Sequence, residues 1–212
     1  MLAGTAVPDW LSVVDRKVRV RSRRVTEQLD ALDEQDRRIA DGMLQHLSDD
    51  DRFHRCPCFF MLEAELSLRF RRLMPDRFDH RPPLLGHIVT ELMLDAVIAE
   101  RTPEILEQYY AALDEVSATQ VEALVNRIAA RSTDRLSGFI DQFRASRFLF
   151  DYLDDERLLH RLNQVLRRVT LPALGEQSLA VLRDARRLLR SHAEELLQAV
   201  ESPEQAGITA VD

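Results

Sequence analysis

Four of the six histidines, His46, His54, His80 and His87, fall within one stretch of the chain, which also carries Asp49, Asp50, Asp51, Glu91 and Asp95. Imidazole and carboxylate are the ligands that suit zinc, iron, manganese and magnesium in different mixtures. In the segment HIVTELMLD, His87, Glu91 and Asp95 recur every four residues. A helix would bring all three to one face. Leu84, Leu85, Ile88, Val89, Leu92, Met93, Leu94, Val97 and Ile98 surround them. A helix so apolar on all sides is expected to be buried. Buried carboxylates need a partner, either a metal ion or arginines such as Arg69, Arg72, Arg144 and Arg147. Positions eight apart on a helix are about 12 Å apart along its axis, so His87 and Asp95 do not share one ion on a straight helix.

A second constellation is GMLQHLSDDDRFH, residues 42 to 54. The acidic cluster Ser48-Asp49-Asp50-Asp51 reads as a break or a cap. A turn there would let His46 and His54 point to one place. Asp9 follows Pro8 and reads as a turn or cap residue. His80 sits in a charged loop and is expected to be solvated, while His160 and His192 lie on amphipathic helices and receive no role.

The elements that must position these groups are helices. The 3.6-residue periodicity runs along nearly all 212 residues, and long alternating β-branched runs are missing. Helices are expected over 11–47 (with an interruption near 33–36), 59–74, 84–100, 104–116, 118–130, 134–152, 156–169 and 176–200. Pro83 is placed to open one of them and Asp154 to load the start of another. One all-helical domain over 1–200 is expected, with a frayed tail over 201–212.

Apolar residues make up 45% and charged residues 31%, a globular balance. A net charge of -7 argues against a nucleic-acid binder that relies on overall charge. A local basic run, Arg16, Lys17, Arg19, Arg21, Arg23 and Arg24, reads as a solvated face or as a dock for an acidic partner or a phosphate. Cys56 and Cys58 are too closely spaced for an easy disulfide and are expected to be reduced, which points to a cytoplasmic location. No signal peptide or membrane span is expected. Gly-rich phosphate loops, GxSxG elbows and Rossmann fingerprints do not occur.

The order of motifs resembles the acyl carrier protein phosphodiesterase family, distant relatives of the HD-domain phosphohydrolases. The stretch Gly4 to Trp10 carries Asp9 where that family has its first aspartate. Gly42, His46, Asp50 or Asp51, and His54 resemble its second motif. Gly86, Glu91 and Asp95 resemble its glycine-and-two-acids helix, and RFLFDYLDDERLLHRL resembles its downstream stretch. The family has aspartate where Glu91 stands and histidine where Ala96 stands, and His87 is extra here.

The resemblance implies an HD-like helical bundle that hydrolyses a phosphoester, such as the phosphopantetheine link of acyl carrier protein, with a divalent metal (Mn, Fe, Zn or Mg). It implies Asp9, His46 and His54 as metal ligands and Asp51, Glu91 and Asp95 as catalytic acids or further ligands, and His87, on the helix face shared with Glu91, is expected as a further metal ligand. Arg52 and Arg55 would hold the phosphate. A non-catalytic helical interaction protein with a buried ion-pair network is the alternative. In the resembling family, residues precede the first glycine-bearing stretch. The corresponding expectation is that Met1 is an internal start and that a short helix precedes it.

Overall fold

The computed structural model describes residues 2–74, 76 and 78–201, and all of their regular structure is helical. The expected frayed tail lies outside the described residues, apart from Glu201. The chain packs as two compact units.

The first unit holds residues 2–51 and 104–148. It contains α1 (Leu2–Val14), α2 (Ser22–Gln28), most of α3 (Glu34–Arg55), α6 (Ile105–Asp114), α7 (Ala118–Ile128) and α8 (Leu136–Ser146). Its core is built from Val7, Trp10, Leu11, Met43, Leu113, Leu124 and Ile140, all buried. Trp10 meets Phe143 edge-on at 5.4 Å, which ties α1 to α8. Asp36, a buried carboxylate, accepts hydrogen bonds from Gln120 and Arg127.

Three expectations fail in this unit for identifiable reasons. The helix over 11–47 is broken early: α1 ends at Val14 and residues 15–21 are not helical. Helix α1 runs through Pro8, so Asp9 is a helical surface residue rather than a turn residue. The acidic cluster 48–51 does not interrupt α3. Gln45 donates to Asp49 one turn on, and Arg52, His54 and Arg55 in the last turn offset the acidic charge near the helix's negative end.

The second unit holds residues 52–103 and 149–201. It contains α4 (Pro57–Leu73), α5 (Arg81–Arg101), α9 (Asp155–Arg168) and α10 (Ser178–Glu201). Helix α5 is long and apolar enough to cross a membrane by length and composition, contrary to expectation. It nevertheless packs on both α4 and α10, with Leu85, Val89, Met93 and Val97 fully buried. That burial makes it the core helix of the unit.

The expected helix over 134–152 splits, because Arg147 takes a left-handed conformation (φ 45°) that ends α8. A 3-10 turn, Phe148–Leu153, follows it. The Asp154 side chain caps α9 by accepting from the backbone N–H groups of Glu156 and Arg157, as its sequence suggests. Arg186 on α10 is buried. It donates to Glu100 at 2.6 Å, to Asp155 at 2.7 and 3.0 Å, and to the Tyr152 carbonyl at 2.9 Å.

Two glycines mark where backbones touch. A Cβ on Gly4 would lie 2.0 Å from the Ile39 carbonyl oxygen and 2.9 Å from the Gly42 Cα, so α1 rests directly on α3. A Cβ on Gly86 would lie 2.4 Å from the Glu63 carbonyl oxygen. Backbone yields less readily than side chains, so Gly4→Ala or Gly86→Ala should each cost about 1–3 kcal/mol. Chemical denaturation checks this. A midpoint unchanged in both variants would mean the helices separate without cost.

Candidate metal centre

His54 stands in the last turn of α3, two residues before Cys56 and Pro57 open α4. His87 and Glu91 are one turn apart on α5. Gly86 allows α4 to lie against α5 at the level of His87. Phe59 of α4, 1% exposed, is the wall against which both imidazoles rest. Its ring centre is 4.9 Å from that of His54 and 5.3 Å from that of His87, edge-on to each. The two imidazoles are parallel to within 6° and stack at 4.9 Å.

Both point at one carboxylate. Oε1 of Glu91 is 3.0 Å from His54 Nε2 and 3.3 Å from His87 Nε2. On the other side of the His87 ring, Oε1 of Glu63 is 3.7 Å from Nδ1. The hydrogen bond to Glu91 lifts the pKa of His87 above its ordinary value, burial works against this, and the charges of Glu91 and Glu63 add to it. The side chains of His87 and Glu91 are each 37% exposed, so the group opens to the surface. This corrects the expectation of a buried stripe. His87 and Glu91 are half-buried, and Asp95, one turn beyond Glu91, is exposed.

Donor atoms of His54, His87 and Glu91 all lie within 4.8 Å of one another. Two ligands bound at about 2.1 Å are roughly 3.0 Å apart when cis at a right angle and roughly 3.4 Å apart in a tetrahedron. The separations of 3.0 and 3.3 Å to Glu91 match those edges. The donor set, two imidazoles and one carboxylate, suits iron, zinc or manganese. One feature opposes immediate binding. A ring nitrogen binds a metal in the plane of its ring, and the planes of stacked parallel rings do not meet. One imidazole must turn for both to bind one ion.

The remaining candidates are elsewhere. Asp9 and His46 belong to the first unit, where Asp9 Oδ1 is 3.8 Å from His46 Nε2. His46 and His54 are eight positions apart on one continuous helix, so the turn that was to bring their rings together is not there. Asp51 is exposed on α3. Arg52 donates to the Val200 carbonyl, and Arg55 is exposed at the end of α3. His80 is exposed, as expected. His160 and His192 bond within their own helices, to Gln164 and to the Leu188 carbonyl.

Of the arginines weighed as partners, Arg69 is turned to Glu65 and Asp184, Arg144 to the Val116 carbonyl, and Arg147 to Glu107. Cys56 and Cys58 are free and buried, and burial followed by the nearby Glu195 carboxylate pushes the Cys58 thiol up to about 12. It is therefore a neutral thiol at neutral pH, not a thiolate ligand. Glu63 and Phe59 were not anticipated. The signal for Glu63 was a carboxylate directly after the apolar run FFML at the start of α4.

No protein-family model, no curated protein and no solved structure matches this chain.

Proposed function

We propose that this protein is a metal-dependent phosphoesterase whose ion is held by His54, His87 and Glu91. The observation that supports this reading is the convergence of those three side chains, from two helices, on one point of the surface. A divalent ion there would polarise a phosphoryl oxygen and lower the pKa of a bound water. Phe59 packs edge-on against both imidazoles and backs the site with an apolar wall. Glu63 stands behind Nδ1 of His87, where a carboxylate favours the tautomer that offers Nε2. Arg55, exposed and adjacent to His54 in sequence, is the cation offered to a phosphate. The substrate in this reading is a phosphodiester, with the phosphopantetheine link of acyl carrier protein the specific candidate from the motif resemblance.

The test uses the full chain, stripped with chelator and titrated with zinc or manganese. One ion per chain is expected. Glu91→Gln and His54→Ala should each weaken it by roughly 100-fold, since each removes a ligand. Hydrolysis of bis(4-nitrophenyl) phosphate and of holo acyl carrier protein should follow the bound ion. No ion uptake, or uptake unchanged in both variants, would overturn the proposal. A second reading, a non-catalytic helical interaction protein, is favoured by the Arg186 network, which stabilises a fold without contributing to any site. Ion uptake with no hydrolysis of either substrate would support it.

A further inference from the structure

We infer that residues 16–24 of the first unit, with the cleft beside them, form a docking site for an acidic peptide bound in extended form. Residues 17–21 alternate, between the turn at Arg16 and Lys17 and the helix that starts at Ser22. Lys17, Arg19 and Arg21 are exposed, while Val18 and Val20 are 1% and 7% exposed. This period of two is that of a strand, and Arg21 has extended dihedrals (φ -129°, ψ 136°). Yet no strand pairs with it among the described residues. The turn before it is closed by Val18 N–H on the Asp15 carbonyl, and the helix after it by Arg24 and Val25 on the Arg21 carbonyl. Between these bonds, the backbone N–H and carbonyl of Arg19 make no backbone hydrogen bond among the described residues. An extended segment with unused backbone groups is a template for strand addition.

The side chains define what would add. Arg16, Lys17, Arg19, Arg21, Arg23 and Arg24 are all exposed, on a chain whose net charge is -7. Of these, Arg23 pairs with Glu27, and the one nearby acid in the turn, Asp15, accepts from the Lys17 backbone N–H. A cleft of about 500 Å³ is lined by the apolar Pro8, Leu11, Val18, Val20 and Leu47 together with Ser12, Arg16 and Arg19. An alternating acidic and aliphatic strand matches both features, with acids to the arginines and aliphatic groups to the wall. Aromatic side chains are missing from that lining, so the cleft lacks the stacking platform that single-stranded nucleic acid uses.

The test is fluorescence anisotropy of the full chain at low salt with three labelled probes. These are a peptide alternating glutamate and valine, one alternating glutamate and glycine, and an oligouridine of similar charge. The glutamate–valine peptide should bind best, and R19E/R21E should weaken it by roughly tenfold or more. Both positions are solvent-exposed, so the variant should keep the helical circular dichroism of the parent. A version of the peptide N-methylated at alternate residues should bind more weakly, since it cannot complete the strand pairing. Any of three results would overturn the inference: no saturable binding of the glutamate–valine peptide up to about 1 mM, equal binding of the glycine peptide, or tighter binding of oligouridine with the same response to R19E/R21E.

Discussion

Arg186→Met is expected to cost about 3–5 kcal/mol, because it strands two carboxylates that the guanidinium now neutralises. The side chain of Arg186 is 9% exposed, and those of Glu100 and Asp155 are 22% and 20% exposed. One guanidinium joins α10 to the end of α5, to the start of α9 and to the 3-10 turn through the Tyr152 carbonyl. Removing it leaves the two acids with less solvent than they need and takes one donor from the Tyr152 carbonyl. Arg190 still reaches Glu100 at 2.9 Å, which limits the loss on that side. For Asp155 the next arginine, Arg183, stands 4.0 Å away, beyond hydrogen-bond distance. The melting temperature should fall on the order of 10 °C. The variant Arg186→Met/Glu100→Gln/Asp155→Asn should recover much of this, because the penalty comes from unpaired charge rather than from lost packing. If the single variant melts within about 2 °C of the parent, the cluster contributes nothing to stability.

The helical fold was legible because periodicity is a local property. Burial of Leu85, Val89, Met93 and Val97 every four residues is the same pattern that the sequence of α5 displays. Breaks were less legible, since tertiary context decides them. The cluster at 48–51 has the composition of a cap, yet it lies inside α3, supported by Gln45 and by the basic last turn. The run KVRVR has a period of two, and it falls where the helix expected over 11–47 is broken.

The site was legible in composition but not in assembly. Sequence placed His87 and Glu91 one turn apart, and a four-residue spacing suffices for that. That His54 joins them rests on the turn at Cys56 and on the Phe59 wall, which depend on packing between helices. Asp95 shares the spacing but is not in the donor group, because positions eight apart on α5 are about 12 Å apart along its axis. His46 and Asp9 met each other, a pairing the motif order hinted at, but α3 carries His46 on a different unit from the triad.

If the proposed ion binds, His87 should give the site opposite responses to pH with and without it. In the metal-free protein its pKa is raised above 6.5 by Glu91 and Glu63. The folded state therefore binds the proton more tightly than the unfolded chain does. That contribution to stability is fully present below about 6.5 and is lost as pH rises through the folded value. Solvent reaches more than a third of the side chain, so the effect is modest. An ion reverses the sign, because it needs the imidazole neutral. Below the folded pKa each unit of pH should weaken zinc binding by roughly tenfold, and above it the dependence on His87 should vanish. Zinc titrations between about pH 6 and 8, paired with melting curves of the chelated protein over the same range, measure both arms. Glu91→Gln should lower the His87 midpoint toward 6.5, seen in the ring proton shifts by NMR, and reduce the fall in stability of the chelated protein. A midpoint at or below 6.5 in the parent would mean that the carboxylates do not hold His87 in its charged form. The ion would then meet little competition from the His87 proton above that midpoint, and the fall in zinc affinity due to His87 would be confined to lower pH.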